Sequence, residues 1–436
     1  MKSKKTFFKF VIPSVFSFVL SGIYAIVDGF FIGNSIGDAG LSAINIAYPV
    51  TALLQAVGTG IGMGGAVYYS IYKAENKKDM AKSFVSFSMW LLAFFSVLQT
   101  VLLLIFMEPI LHFLGAEGNL LELCKEYTQI IIVGTVLQTV GTGIVPFIRN
   151  HGGPIYAMLS MILGFLTNIF LDYIFVWVLE YGLFGAGLAT VIGQGVTLLS
   201  AILYLLKKKQ FTLKVEFSKI VFVTKSIIKI GIAPFGLAMV PNISLIIINR
   251  FSMFYGGEKA IATYSCISYI VSVVYLIFQG IGDGSQPLFS KYYGEKNFRS
   301  LKSLKKVAYS FAIFLSLVSC LILYFARRDI GVLFGASNEV NLEIAKILPI
   351  FLISIPFVAI NRVATSYFYA TEKSLYSYIL TFIEPILMLL LMLTLPQFYA
   401  SQVMIWLSTV IARILSSAVA LTLNISNNKK ENLNLI

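Results

Sequence analysis

The sequence predicts an all-α polytopic membrane protein. It should have twelve transmembrane helices, arranged as two homologous six-helix lobes with pseudo-two-fold symmetry. Three observations carry this prediction. Hydrophobic residues make up 58% of the 436 and charged residues only 12%, where a soluble domain carries about 25% charged residues. Apolar stretches of about 20 residues, long enough to cross a bilayer, recur along the whole chain, and the mean hydropathy is +0.85. One pattern also occurs twice. It reads P-S-V-F at Pro13, G-T-G-I-G from Gly58 and S-I-Y-K-A-E-N-K from Ser70. It reads again as P-F-G-L at Pro234, G-I-G-D-G from Gly280 and S-K-Y-Y-G-E-K-N from Ser290. Matching Pro13 to Pro234, Gly58/Gly60/Gly62 to Gly280/Gly282/Gly284 and Ser70 to Ser290 gives offsets of 221, 222 and 220. A duplicated apolar chain fits a transporter plan, in which two bundles rock around a site between them.

In chain order, the apolar runs place helices at 10–33, 41–72, 84–107, 125–148, 155–179, 185–206, 227–255, 260–290, 305–326, 344–370, 375–396 and 401–424. Residues 1–206 form the first lobe, 207–226 a basic linker and 227–436 the second lobe. The second and eighth helices exceed what a membrane of about 30 Å requires, so they should tilt or protrude. The opening K-S-K-K is followed by a long apolar run with no A-x-A site, which suggests an uncleaved first helix. With the N-terminus placed in the cytoplasm, 25 of the 33 lysines and arginines fall on the inner side and 5 on the outer. Arg250, Arg362 and Arg413 fall within helices. The net charge of +13 is therefore a positive-inside bias, with both termini cytoplasmic, and not a nucleic-acid signal. The expected site is the cell membrane. Cys124, Cys266 and Cys320 form no C-x-x-C and suggest no disulfide framework. Two histidines, His112 and His151, are too few and too far apart for a metal site.

Ionisable groups within spans are costly and therefore informative. Asp28 lies about five residues from the outer end of helix one, and Asp172 about seven from the outer end of helix five. Thr190 lies about five residues into helix six from the same side. Asn168 is one turn before Asp172, and Tyr24 one turn before Asp28. All five lie roughly 7–16 Å below the outer boundary at 1.5 Å per residue. Oxygen-bearing groups at matched depth suit a shared proton or a hard monovalent cation. Each alone could instead be a polar tie between helices. The second half does not repeat the set, since Asn249 stands opposite Asp28 and Arg250 follows it. Glu384 and Arg413 both lie near mid-membrane and should pair, either as a structural salt bridge or as a site for substrate binding and gating. Asp283, within G-I-G-D-G-S-Q-P, either faces a cavity or holds a helix distortion near Pro287. The glycine runs lack the preceding strand and the G-K-[ST] ending of a phosphate loop. They let helices approach closely or bend. Pro13 removes a backbone hydrogen bond and makes a natural hinge in helix one.

These motifs resemble the multidrug and toxic compound extrusion (MATE) transporters over essentially the whole chain. The resemblance rests on Pro13 and Asp28 with the following D-G-F-F-I-G, on Asn168 and Asp172, and on G-A-G-L-A-T in helix six. The G-D-G-S-Q-P-L and Y-Y-G-E-K-N of helix eight are similar to the bacterial DinF/MepA-like branch. The resemblance implies antiport by alternating access, exporting organic cations, drugs or related metabolites against H⁺ or Na⁺. It implies a cation site at Asp28, Asn168, Asp172 and Thr190, with Tyr24 beside them. Substrates should be small, amphipathic and cationic. The expected partners are the bilayer and those substrates, with no nucleic acid, and the chain is expected to act as a monomer. No cofactor is expected beyond the coupling Na⁺ or H⁺, and no metal beyond Na⁺ at those four residues. Some branches carry acidic residues in helices seven and ten. Here those helices offer Asn249, Asn361 and Arg362, which argues against a sodium site of that type. The alternative is a lipid-linked oligosaccharide flippase of the same superfamily. It would need several cationic residues facing its cavity, and only three arginines lie within spans. Nothing in the sequence suggests an enzyme.

Overall fold

A computed structural model describes residues 2–208, 216–333 and 337–433. Lys209 and Lys214 of the expected linker lie outside these residues, as do the side chains of Lys2, Lys429 and Lys430. The described chain is almost wholly helical. Its helices are α1 (Lys2–Ser35), α2 (Asp38–Ala74), α3 (Lys78–Phe113), α4 (Gly118–Val133), α5 (Thr135–Asn150), α6 (Pro154–Asp172) and α7 (Gly182–Lys207). They continue as α8 (Ile220–Gly257) and α9 (Lys259–Gly294), then α10 (Phe298–Ala326), α11 (Asn338–Ala370), α12 (Ser374–Phe398) and α13 (Gln402–Leu433). Eleven are long and apolar enough to span a membrane, and the bent pair α4–α5 supplies a twelfth.

Several boundaries differ from the sequence expectation. The fourth span is not one helix over 125–148. It is two, starting at Gly118 and bent by 57° around Gly134, where Val191 of α7 occupies the space a Cβ would need. The fifth span widens after Asp172 into a π-helical turn, Tyr173–Val178. The second and eighth spans, at 37 and 36 residues, exceed what a bilayer requires as expected, and α3 and α8 do so as well with 36 and 38 residues. α8 and α9 meet at Gly257, whose φ of 63° and ψ of −161° break an otherwise helical run from Ile220 to Gly294. No helix distortion therefore surrounds Asp283.

The chain divides into two compact units, Phe16–Met239 and Met1–Val15 with Val240–Ile436. Helix pairings in the first recur in the second. The pairs α6/α7, α5/α7, α3/α5 and α5/α6 correspond to α12/α13, α11/α13, α10/α11 and α11/α12. Ser70 donates to Asn150 Oδ1 at 2.7 Å, and Ser290, 220 residues on, donates to Ala370 O at 2.9 Å.

The glycines follow the same offset. A Cβ on Gly60 would lie 2.9 Å from Gly231 O, and Gly64 lies against Ile227. In the other unit, a Cβ on Gly284 would lie 2.8 Å from Val11 Cα, and Gly280 lies against Val15. Between them, Gly62 faces Gly143 and Gly282 faces Ser366, each within its own half. The equivalent glycines are thus 60, 62 and 64 with 280, 282 and 284, a constant offset of 220. This corrects the 222 read from the motif alone. The same contacts explain the unit boundaries. The start of α1 packs on α9, and the start of α8 packs on α2, because alternate glycines let those backbones touch.

Candidate functional site

The unit Phe16–Met239 brings the predicted residues of α1, α6 and α7 together. Gly164 and Gly193 set the spacing of α6 and α7. A Cβ on Gly193 would lie 2.7 Å from Gly164 O and 3.0 Å from Asn168 Cβ, so only bare backbone fits. That approach lets Asn168 Nδ2 donate to Thr190 Oγ1 at 3.3 Å. Asp172 follows Asn168 by one turn and is completely buried, with Asn168 at 2% and Thr190 at 6% exposure. α1 is held against α6 by the stack of Tyr24 on Phe165, with centroids 5.2 Å apart and planes 8° from parallel. Farther out, Ser35 Oγ donates to Val176 O at 3.0 Å, and Phe31 meets Trp177 edge to face at 5.7 Å. These contacts pin the end of α1 to the π-helical turn. Asp28 is thereby brought to within hydrogen-bonding reach of Asp172.

The site is rich in acceptors and poor in donors. Asp28 Oδ1, both Asp172 oxygens and Asn168 Oδ1 are shielded from solvent and meet no donor among the described residues. Two carboxylates side by side cannot hydrogen-bond unless a proton lies between them. No group of three or more His, Cys, Asp or Glu side chains arranged to hold a metal occurs among the described residues. The oxygens here come from two carboxylates and one amide instead.

Sequence reasoning missed one member of the site. Tyr127 is 5% exposed. Its phenol is a neighbour of both aspartates and of the Thr51 and Thr190 hydroxyls. The expected start of the fourth helix at residue 125 put Tyr127 at the membrane surface. With α4 beginning at Gly118, it lies nine residues in, about 13 Å at 1.5 Å per residue. Glu126 accepts from Phe184 N at 2.9 Å and caps the start of α7.

In the other unit, Arg413 pairs with Glu384 at 3.2 Å, with side chains 7% and 22% exposed. Arg413 also donates to Ser354 Oγ at 3.3 Å, and its guanidinium lies 5.2 Å above the Tyr275 ring. Asp283 is buried and accepts from the Tyr369 hydroxyl at 3.2 Å, which ties α9 to α11. Asn249 stands outside this set of contacts, with its Oδ1 shielded and without a donor. Asn361 bridges Leu380 O and Ser416 Oγ at 3.2 and 3.0 Å, tying α11 to α12 and α13. Pro13 lies inside the continuous α1, two residues before the unit boundary at Val15.

The model of the MatE family matches residues 13–174 and again 234–394, once in each half. The multidrug export protein MepA of Staphylococcus haemolyticus is 28% identical over 373 residues, covering 85% of this chain and 82% of its own length. MepA of a Staphylococcus aureus strain is 26% identical over 422 residues, covering 96% and 92%. Among solved structures, an outward-facing multidrug resistance MATE family transporter of the MOP superfamily superposes with a TM-score of 0.91. A MOP superfamily transporter from Pyrococcus furiosus superposes at 0.92. Both are 20% identical, cover 99% of this chain and 97% of theirs, and share its fold.

Proposed function

The chain belongs to the MATE family of membrane transporters, and from that premise we propose that it exports small, amphipathic, cationic molecules in exchange for H⁺ or Na⁺. The observation that carries this reading is the set of shielded acceptor oxygens on Asp28, Asp172 and Asn168 that meet no donor. Two buried carboxylates repel each other strongly in a medium of low dielectric, and binding one monovalent cation relieves this. A proton would be shared between the two carboxyl groups. Sodium would take the same oxygens, which are the hard ligands it prefers. Relatives named as multidrug export proteins, similar over most of the chain, support drugs or related metabolites as cargo.

In this reading the cation enters from outside, neutralises the pair and favours the conformation that releases substrate outward. Loss of the cation to the cytoplasm resets the carrier. Pro13 lacks the backbone N–H that would stiffen α1 and is the bending point. The protein works as a monomer in the cell membrane, with both termini cytoplasmic. The test is dye efflux from proteoliposomes under pH and Na⁺ gradients imposed separately. Wild type should export with one of the two gradients, and folded Asp28→Asn with neither. Normal gradient-driven export by Asp28→Asn would overturn the reading.

A further inference from the structure

The second unit holds a counterpart of the aspartate site, a guanidinium with an unmet donor beside carboxylates that other donors engage. Arg362 lies in α11, inside a span, where a guanidinium stays charged. Its Nη1 is shielded from solvent and meets no acceptor among the described residues. The residue as a whole is only part-buried. The hydroxyl of Tyr275, an electrostatic neighbour of Arg362, is likewise shielded from solvent and lies beside the Ser354 hydroxyl. Both nearby carboxylates are engaged by other donors. Glu384 is held by Arg413 at 3.2 Å, and Asp283 by Tyr369 at 3.2 Å. A buried guanidinium is normally hydrogen-bonded, because leaving its donors unmet in an apolar bundle is costly. An ordinary structural arginine would have used one of those carboxylates. Arg413 does so.

We propose that Arg362, assisted by the Tyr275 hydroxyl, receives a carboxylate or comparably strong acceptor on the exported molecule. The guanidinium offers a planar fork of donors that matches a carboxylate in bidentate geometry. The preferred cargo is then a zwitterionic amphiphile, whose cationic end is accompanied by an acid group, and not a simple organic cation. This rests on the export reading for the identity of the ligand as cargo. It differs from that reading in the residues and the measurement that test it.

The experiment uses the full chain in nanodiscs with no gradient and at fixed pH and Na⁺, so no transport step enters and any linkage to Asp28 acts on both dyes alike. Fluorescence anisotropy measures the Kd of rhodamine B, which carries a free carboxylate beside its cationic ring system, and of its ethyl ester, which keeps only the cation. Wild type should bind the acid about tenfold or more tighter than the ester, the range of one charge-assisted hydrogen bond or more. Arg362→Gln should bring that ratio to about one. Tyr275→Phe should lower it by about threefold, and Arg362→Lys should restore part of it. Equal binding of acid and ester by wild type would overturn the proposal without recourse to any variant. An unchanged ratio in Arg362→Gln, or binding of neither dye, would do the same. If the ratio is as predicted but gradient-driven efflux fails, the export reading falls and the acceptor site stands.

Discussion

At the residue scale, the two units contain opposite imbalances of hydrogen-bonding capacity. Asp28, Asp172 and Asn168 leave acceptors unmet, while Arg362 leaves a donor unmet. The positions of the aspartates followed from charge and depth alone, since few reasons other than function keep carboxylates inside a span. Tyr127 did not, because its depth depended on a helix start at Gly118, seven residues before the one the apolar run suggested. Arg362 was visible as a buried charge, but its lack of an acceptor is a fact of three dimensions. Tyr127→Phe should fold normally and lower gradient-driven efflux by about tenfold or less, the worth of one hydrogen bond. An unchanged efflux rate would remove Tyr127 from the site. The Glu384–Arg413 pair gives a second expectation. Glu384→Gln leaves a guanidinium without its counter-charge, at a cost of about 1–3 kcal/mol given the partial exposure of Glu384. Its yield and Tm should fall, and replacing both residues with leucine should recover part of the loss. If Glu384→Gln is instead fully stable and selectively loses cationic dyes, Glu384 reads substrate charge.

At the element scale, glycines decide which helices touch. Gly164 and Gly193 bring α6 against α7, and Gly60, Gly64, Gly280 and Gly284 let helix starts from the other half lie on α2 and α9. Hydropathy located the spans because lipid imposes a minimum apolar length. It could not reveal the bend at Gly134 or the π-helical turn after Asp172, since both depend on neighbouring side chains and not on composition. Nor could it reveal the exchange of helix starts, which is a matter of packing between segments far apart in the chain. Gly193→Ala tests the spacing argument. Its methyl would press on Gly164 O and Asn168 Cβ, so α6 and α7 must separate by several tenths of an ångström. Tm should fall, and gradient-driven efflux should fall further than that of an alanine at the lipid-facing Leu199, which is 59% exposed. Equal behaviour of the two variants would contradict the role given to the glycine pair.

At the scale of the whole molecule, duplication and charge bias fix the plan. An even number of spans in each half starts both halves on the same side, and the lysine and arginine distribution carries our proposal that this side is cytoplasmic. A tag on the N-terminus and one on the C-terminus should therefore both become reactive to antibody only after the cells are permeabilised. Labelling of either tag in intact cells would reverse the topology. The central claim is that the Asp28–Asp172 cluster holds one cation and gives it up when substrate binds. Binding linkage tests this without any transport step. Purified protein in nanodiscs should release about one H⁺ or one Na⁺ per bound dye molecule, read by a pH indicator in weak buffer and by a sodium-selective dye. The Asp28→Asn/Asp172→Asn variant should bind the dye and release neither ion. Substrate binding by wild type with no release of either ion, or undiminished release by the double variant, would contradict the account.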